Sequence, residues 1–204
     1  MGDEQLLAQW RDGNSEAGAA LVRKHRRALT AFFRDRVPPS EVADMVQDTL
    51  LTLVEARARI RSYCSFRSFA FGIARRKLLE RGRKRRTAPL GEELEARLAG
   101  EAPPASAILV SKSNRDIVIA ALRSLSVDDQ ILLQLSGYEA MKRRELAEVF
   151  DVPLNVISGR LHRVRQRLQR VIEKLIANPV DVESTETSLR SYWSSLAGLP
   201  RQPD

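Results

Sequence analysis

Cysteine and histidine are nearly absent from this 204-residue chain, which has one cysteine and two histidines. Cys64 has no partner for an internal disulfide. Together with His25 and His162 it falls short of the four ligands that a structural zinc site uses. No nucleophile, base and orienting group stand out as a catalytic set either. We therefore expect no metal, no cofactor and no enzymatic activity.

Long apolar runs and strand-like patterns are also missing. No stretch approaches the roughly 18 uncharged apolar residues of a membrane span, and the polar, acidic start does not resemble a signal peptide. Aromatic residues make up 5% of the chain, and no run of alternating β-branched residues is long enough for a strand. The hydrophobic share of 43% is nevertheless normal for a folded protein. These features predict a soluble, cytoplasmic, all-α protein without membrane insertion.

Positive charge, in contrast, is abundant and concentrated in two segments. The net charge is +8 at pH 7. Residues 56–86 hold 12 Lys and Arg against one acid, and residues 141–176 hold 9 against 4, whereas the rest of the chain is mildly acidic. Such patches indicate an anionic partner, with nucleic acid as the leading candidate and an acidic protein or a membrane surface as alternatives.

Apolar spacing predicts two small helical domains. The first covers residues 1–86, and the second, a four-helix unit, covers residues 114–176. Residues 87–113 contain three prolines and a cluster of glutamates, which is typical of a linker. Residues 177–204 form a C-terminal extension, for which a short docking helix and a frayed tail are both open. The apolar face that suggests a helix there consists of Leu189, Tyr192, Trp193 and Leu196.

Within the first domain, the pattern predicts a helix break near Asp12-Gly13-Asn14 and a second helix that ends at Pro38-Pro39. Ser40 is then expected to cap a third helix. The buried side of that helix is expected to carry Val42, Val46, Leu50, Leu53 and Val54. After a break near residues 61–62, a fourth helix should run into the basic block at residues 75–86.

Residues 141–170 have the pattern of a helix-turn-helix. A short helix is followed by a turn at Asp151-Val152-Pro153, where proline disfavours helix at the preceding residue. The next helix has an apolar stripe on one side and arginines on the other. The stripe consists of Ile157, Leu161, Val164, Leu168, Val171, Ile172 and Leu175. An ordinary bundle containing a basic amphipathic helix is the alternative.

The second helix of such a motif inserts its N-terminal residues into the major groove, where they contact base edges. The residues in that position are Asn155, Ser158, Gly159, His162 and Arg163.

The third predicted helix has an unusual outward face. Asp44, Gln47 and Asp48 lie at i, i+3 and i+4 and therefore share the face opposite the apolar side. Leu51 follows on the same outward face. An exposed leucine beside two carboxylates is unusual for a solvated surface, but in isolation an ordinary polar face explains it as well.

Aromatic and basic residues are interleaved between residues 63 and 77. Ring faces for stacking and cations for phosphates are the combination that holds single-stranded nucleic acid. The residues are Tyr63, Phe66, Arg67, Phe69, Phe71, Arg75, Arg76 and Lys77. For Phe66, Phe69 and Ile73 a place in the core is favoured, which leaves Tyr63 and the loop at Cys64-Ser65 as the better candidates for contact with bases.

Three stretches together resemble a known family, the bacterial RNA polymerase sigma factors of the extracytoplasmic-function (ECF) group of the sigma-70 family. They are DMVQDTLLTL at 44–53, SFRSFAFGIARRKLLERGRKRR at 65–86, and the helix-turn-helix that ends in SGRLHRVRQRL at 158–168. Most of residues 5–86 are similar to the family's region 2, and residues 115–175 are similar to its region 4. The resemblance implies an alternative sigma factor with two all-α domains joined by a flexible linker.

The resemblance also implies a role for each surface. The residues that match the helix binding the β′ clamp helices of core RNA polymerase are Asp44, Gln47, Asp48 and Leu51. Those that match the part contacting the −10 element are Tyr63, Ser65, Phe66, Arg67, Phe69, Arg75, Arg76 and Lys77. Those that match the reader of the −35 element are Asn155, Ser158, Arg160, His162, Arg163, Arg165 and Arg167.

The implied partners are core RNA polymerase, through its β′ clamp helices and β flap, promoter DNA, and an anti-sigma factor or other regulator. The chain departs from the family at the start of the second helix of the motif. It reads Asn155-Val156-Ile157 where the family commonly has Gly-Thr-Val. A different −35 sequence, or fewer direct base contacts, is expected to follow.

The residues leave two other functions open. A dimeric helix-turn-helix regulator would bind an operator tightly without polymerase. A DNA-processing enzyme such as a recombinase would need a catalytic serine or tyrosine with clustered arginines in residues 1–86. No such arrangement stands out beyond the basic run.

Overall fold

The computed structural model describes residues 2–57, 60, 65–86, 114–175 and 187, and within these residues all regular secondary structure is α-helical. The all-α prediction is thus confirmed. The helices are α1 (Asp3–Arg11), α2 (Ser15–Arg34), α3 (Pro39–Glu55), α4 (Phe66–Arg86), α5 (Asn114–Arg123), α6 (Val127–Gly137), α7 (Arg143–Phe150) and α8 (Leu154–Leu175). The predicted linker at 87–113, the apolar face at 189–196 and Tyr63 lie outside the described residues.

The chain divides into two compact units. Unit 1 comprises Met1–Arg81 together with Arg144–Pro153, and unit 2 comprises Gly82–Arg143 together with Leu154–Asp204. The first helix of the helix-turn-helix, α7, therefore belongs to unit 1. Its second helix, α8, belongs to unit 2.

Unit 1 begins with two helices that meet at the predicted break. The Asn14 side chain caps α2 by accepting hydrogen bonds from the backbone N–H groups of Glu16 and Ala17, at 3.0 and 3.2 Å. Gly18 lies so close to the ring of Trp10 that a Cβ there would collide with it. Absence of a side chain at this position is therefore what allows α1 to pack on α2.

Three details of α3 differ from the sequence prediction, and one of them is that Leu50 is half-buried rather than buried. Ser40 does not cap the helix, because α3 already begins at Pro39, whose fixed φ suits the first helical position. Val54 is 47% exposed rather than buried. The buried stripe is formed by Val42, Met45, Val46, Thr49 and Leu53. At 100° per residue, Val54 lies roughly 120° around the helix from the centre of this stripe, which turns it to the outward face.

Unit 2 is built around α5, α6 and α8. Ser126 caps α6 by accepting a hydrogen bond from the backbone N–H of Asp129. The buried stripe of α8 contains Ile157, Leu161, Val164, Leu168 and Ile172, as predicted. Val171 is only half-buried. Burying a residue of this size contributes about 1.5–3 kcal/mol, so this stripe anchors α8 to the unit.

The predicted turn between α7 and α8 is confirmed. Helix α7 ends at Phe150 and α8 begins at Leu154. Asp151 adopts a φ of 54°, in the left-handed region that short polar side chains tolerate best among residues with a Cβ. Pro153 then directly precedes the first residue of α8.

Candidate nucleic-acid interface

The outward face of α3 carries the predicted constellation and extends it by one residue. Asp44, Gln47 and Asp48 are exposed, and Leu51 is 53% exposed on the same side. Val54, which sequence reasoning placed in the core, lies one turn beyond Leu51 on this face. We call these five residues the acidic-apolar face. The spacing of Leu51 and Val54 at i and i+3 gives a continuous apolar ridge beside two carboxylates.

The acidic-apolar face is held on a rigid support. The hydroxyl of Thr49, fully buried beneath the face, donates a hydrogen bond of 2.7 Å to the backbone carbonyl of Met45. At the start of α3, Glu41 accepts a 2.5 Å hydrogen bond from Nε of Arg81 on α4. The ion pair ties α3 to the far end of α4, so the two helices present their outer faces in a fixed relation.

The first turns of α4 divide into a buried and an accessible side. Phe66 is 1% exposed, with its ring centroid 6.1 Å from that of Trp10 and 5.1 Å from that of His25. Ile73 is also buried, so the core placement is confirmed for both, and Phe66 supports the surface from beneath. Phe69 is half-buried. The remaining described members of the predicted −10 set are the half-buried Ser65, Arg67, Arg75 and Lys77 and the exposed Arg76.

Two glutamates of α7 pair with two serines at the start of α4, Ser68 within the helix and Ser65 directly before it. The Ser65 hydroxyl donates a 2.7 Å hydrogen bond to Oε1 of Glu145, and the Ser68 hydroxyl donates to Oε2 of Glu148. The two serines are three residues apart, and so are the two glutamates. Each serine therefore lies opposite one glutamate.

Apolar and cationic contacts accompany these hydrogen bonds. The guanidinium of Arg75 lies 4.7 Å from the ring centroid of Phe150, in a cation–π arrangement. A Cβ at Gly72 would lie 3.8 Å from Cα of Val149, so the backbones of α4 and α7 approach closely there. Ser65 and Arg75, both in the predicted −10 set, are therefore engaged within unit 1. Sequence reasoning missed α7 as their partner.

A small charged cluster lies next to Phe66. Asp3 is 2.6 Å from Nζ of Lys24 and 2.7 Å from Nε2 of His25. Burial lowers the pKa of His25 below its ordinary value of 6.5, and the Asp3 carboxylate, which acts in the opposite direction, does not offset this. Burial of Asp3 favours a raised pKa, but the hydrogen bonds and charges of Lys24 and His25 outweigh it and leave the pKa of Asp3 lowered.

The predicted −35 residues of α8 fall into two groups. Asn155, His162, Arg163 and Arg165 are exposed, and Arg163 lies on the side of α8 away from the buried stripe. Ser158 is half-buried, and its hydroxyl donates a 3.0 Å hydrogen bond to the carbonyl of Leu154. Arg160 and Arg167 form the second group, because both pair with an aspartate of α6.

That aspartate is Asp129, whose side chain is 8% exposed. Its Oδ1 accepts hydrogen bonds from Nε and Nη2 of Arg160 at 3.2 and 2.9 Å, and its Oδ2 accepts one of 2.9 Å from Nη1 of Arg167. The carboxylate thus fixes two arginines of α8 at once. This network fastens α8 to α6 and orients the charged side of the helix. Nothing local in the sequence pairs residues separated by more than 30 positions.

The first turn of α8 exposes two large apolar residues. Leu154 is 52% and Val156 43% exposed. With Leu51 and Val54 they are the exposed large hydrophobic side chains of the described residues. The described residues contain no cluster of three or more His, Cys, Asp or Glu arranged to hold a metal ion. No helix among them is long and apolar enough to cross a membrane.

Comparison with known proteins adds to this geometry. The Sigma-70 region 2 family model matches residues 21–88. The ECF RNA polymerase sigma-E factors of Salmonella typhimurium and Escherichia coli are 22% identical over 187 residues, an alignment that covers 85% of this chain and 96% of each relative. RNA polymerase sigma factor CnrH of Cupriavidus metallidurans is 27% identical over 180 residues, covering 84% of this chain and 94% of CnrH.

Two solved structures share the fold. CnrH in complex with the cytosolic domain of CnrY matches with a TM-score of 0.58 and 24% identity, over 84% of this chain and 97% of CnrH. The sigma factor RpoE in complex with the anti-sigma factor NepR from Bartonella quintana matches with a TM-score of 0.51 and 20% identity, over 76% of this chain and 93% of RpoE.

The region 2 match lies on α2, α3 and α4, where the acidic-apolar face and the basic helix are found. The alignments with sigma factors extend over most of the chain and favour this family over an operator-binding regulator. The chain is thus similar over most of its length to ECF sigma factors of the sigma-70 family, and its residues 21–88 match Sigma-70 region 2.

Proposed function

We propose that this protein is an alternative sigma factor that binds core RNA polymerase and directs transcription initiation through −10 and −35 promoter elements. One observation supports this above the others. A single chain presents the acidic-apolar face on α3, a basic helix α4, and an arginine-rich helix α8 in a helix-turn-helix. An operator-binding regulator would need only the helix-turn-helix with α8.

The acidic-apolar face is the proposed binding site for the β′ clamp helices. Carboxylates flanking an apolar ridge suit a partner that combines basic side chains with an apolar strip. Asp44, Gln47 and Asp48 would provide charge and hydrogen bonds at the rim. Leu51 and Val54 would provide the part that is desolvated on binding.

The start of α4 is the proposed contact for the −10 element. Unpaired bases need a stacking surface and cations along the backbone. Arg67, Arg76 and Lys77 would supply phosphate contacts, and the half-buried ring of Phe69 would offer a stacking edge. Ser65 and Arg75 complete the described part of this set, and both are engaged by α7 in the free protein.

The outward side of α8 is the proposed reader of the −35 duplex, with unit 2 also contacting the β flap. Asn155, His162 and Arg163 would contact base edges, and Arg165 the phosphate backbone. Arg160 and Arg167 act mainly through Asp129, by holding the helix in place. Phosphate contacts should give binding a steep salt dependence.

The protein works without a catalytic site of its own, because the polymerase supplies the chemistry, and it works in the cytoplasm, where the polymerase is found. A protein regulator is part of the proposal. Relatives in the two matched structures are bound to CnrY and to the anti-sigma factor NepR. An anti-sigma factor covering the acidic-apolar face would keep this chain from core polymerase.

In vitro transcription with purified core polymerase and a randomised promoter library tests the proposal. We expect transcripts from a defined subset of promoters only when the protein is added, and little stable duplex binding by the protein alone. Asp48→Arg should abolish these transcripts, because it reverses one charge of the acidic-apolar face and leaves the core untouched. Tight duplex binding without polymerase, and no promoter-dependent transcripts with it, would overturn the proposal.

A further inference from the structure

The first turn of α8 has an apolar character that its role in DNA binding leaves unexplained. Val156 is 43% exposed, at the third position of a helix whose N-terminal end is expected in the major groove. A valine side chain gains nothing by contacting the charged DNA backbone. It can bury apolar surface against the 5-methyl group of thymine, which is the apolar group that the major groove exposes.

Resting on the proposed function, we propose that Val156 is a specificity-determining residue that contacts a thymine methyl group in the −35 duplex. The contact would read thymine without a hydrogen bond. A sequence with cytosine or with uracil at that position lacks the methyl group and would be bound less tightly.

The charge of α8 identifies the occupant of this apolar patch as DNA. The helix carries five arginines and one lysine against one glutamate. Seen down the helix axis, Arg163 lies about 20° from Val156, and both lie well away from the buried stripe. Such a positively charged surface attracts the phosphates of DNA more strongly than an apolar protein surface.

The three residues that follow Ile157 are poorly placed to contact base edges. The Ser158 hydroxyl donates its proton to the carbonyl of Leu154. Gly159 has no side chain, and a Cβ there would lie 3.6 Å from Nη1 of Arg163. Arg160 is held by Asp129. Within the first two turns, Asn155 and Val156 are therefore the side chains best placed for base edges.

The test replaces single thymines of a selected −35 element by deoxyuridine, which removes only the methyl group. Polymerase holoenzyme containing the full chain is titrated with each duplex, and the dissociation constant is measured. Loss of one buried methyl group should weaken binding about fourfold at one or two positions. In Val156→Ala the same substitution should have no further effect, because the contact is already missing.

Two variants make the result specific. Val156→Thr keeps one methyl group and should keep most of the thymine preference. Arg165→Ala should weaken all duplexes alike and leave the thymine-to-uridine ratio unchanged, since a phosphate contact carries no base information. Val156 and Arg165 are both exposed, so neither substitution disturbs the core.

The experiment distinguishes failure of the proposed role of Val156 from failure of the proposed sigma factor function. If the holoenzyme binds promoters but uridine has no effect at any −35 position, Val156 does not read thymine. The same conclusion follows if the uridine effect persists in Val156→Ala and disappears in Leu154→Ala. If no holoenzyme forms and no promoter is selected, the sigma factor function itself is wrong.

Discussion

The outward face of α3 and the first turn of α8 each expose a pair of large apolar residues, to nearly the same extent. Leu51 and Val54 are 53% and 47% exposed, and Leu154 and Val156 are 52% and 43% exposed. The pairs differ in their charged neighbours. Carboxylates surround the first, whereas arginines follow the second along the helix.

Exposed apolar area by itself therefore does not specify the class of partner. Apolar burial is nondirectional, so either pair could in principle be covered by any apolar surface. Charge decides between the classes of partner. Carboxylates repel phosphates and favour a basic protein surface, whereas arginines favour DNA.

The largest effect is expected from reversing a charge on the acidic-apolar face. Asp48→Arg should weaken binding to core polymerase at least about hundredfold, because it places a cation against the basic side of the partner. Thermal stability should be nearly unchanged, since Asp48 is exposed. Biolayer interferometry with immobilised core enzyme measures the affinity, with Glu4→Arg on α1 as the charge-matched control. Equal affinity of the two variants would exclude this face from the interface.

The next effect separates the arginines of α8. Arg163→Ala should reduce use of the −35 element by about 2 kcal/mol if the guanidinium contacts a guanine, without loss of stability. Arg160→Ala should instead lower the melting temperature, because it leaves the buried carboxylate of Asp129 with one partner fewer. Promoter titration and thermal denaturation of both variants provide the measurement. If the two variants behave alike, the division into reading and positioning arginines is wrong.

Truncating the apolar ridge of α3 should have an intermediate effect. The double substitution Leu51→Ala and Val54→Ala should weaken core polymerase binding about tenfold, because it removes side chains that are desolvated only in the complex. Leu154→Ala is the matched control from the other exposed pair, and it should leave core binding unchanged. A loss of core affinity in Leu154→Ala as large as in the double variant would remove the distinction between the two pairs.

A smaller effect concerns the start of α4, where two glutamates of α7 accept hydrogen bonds from Ser65 and Ser68. Replacing Glu145 and Glu148 by alanine should tighten binding of a single-stranded −10 oligonucleotide about fivefold. The change removes two negative charges and releases the hydroxyls of Ser65 and Ser68. Fluorescence anisotropy with the full chain measures this, and Glu173→Ala, which removes one exposed negative charge outside α7, is the control. Unchanged affinity would mean that α7 does not restrict access to α4.

The smallest effect sets the pH range in which these comparisons hold. The pKa of His25 is lowered in the folded state, so stability is fully present above the ordinary value of 6.5 and is lost as the pH falls from there towards the lowered pKa. Between pH 7.5 and 5.5 we expect the melting temperature to fall by about 2–4 °C. The fall should shrink in His25→Gln. A larger fall in that variant would assign the pH dependence to other groups.

Local patterns allowed most of the helices to be predicted from the sequence. The break at Asp12–Asn14, the turn before Leu154 and the stripe from Ile157 to Ile172 all follow from turn chemistry and from helical periodicity. Ser40 was wrongly predicted as a cap, because the fixed φ of Pro39 lets the helix begin one residue earlier. Val54 was wrongly predicted as buried, because at 100° per residue it lies outside the stripe to which its neighbour Leu53 belongs.

The pairings between helices could not be predicted. Ser65 with Glu145, and Arg160 with Asp129, join residues that are distant in sequence, and polar side chains carry no periodic signal for their partners. The resemblance to a family brought Arg160 and Arg167 into the −35 set. In unit 2 both arginines bind Asp129 and hold α8 in place. The sequence alone does not distinguish this role from contact with DNA.

The carboxylate of Asp129 has a practical consequence for redesigning promoter choice. Because it holds Arg160 and Arg167, these two positions are linked to the folding of unit 2, and libraries that vary them would lose folded members. Asn155, Val156 and Arg163 are outside this linkage and are exposed. Randomising those three positions alone should give orthogonal variants that recognise new promoters on an unchanged scaffold.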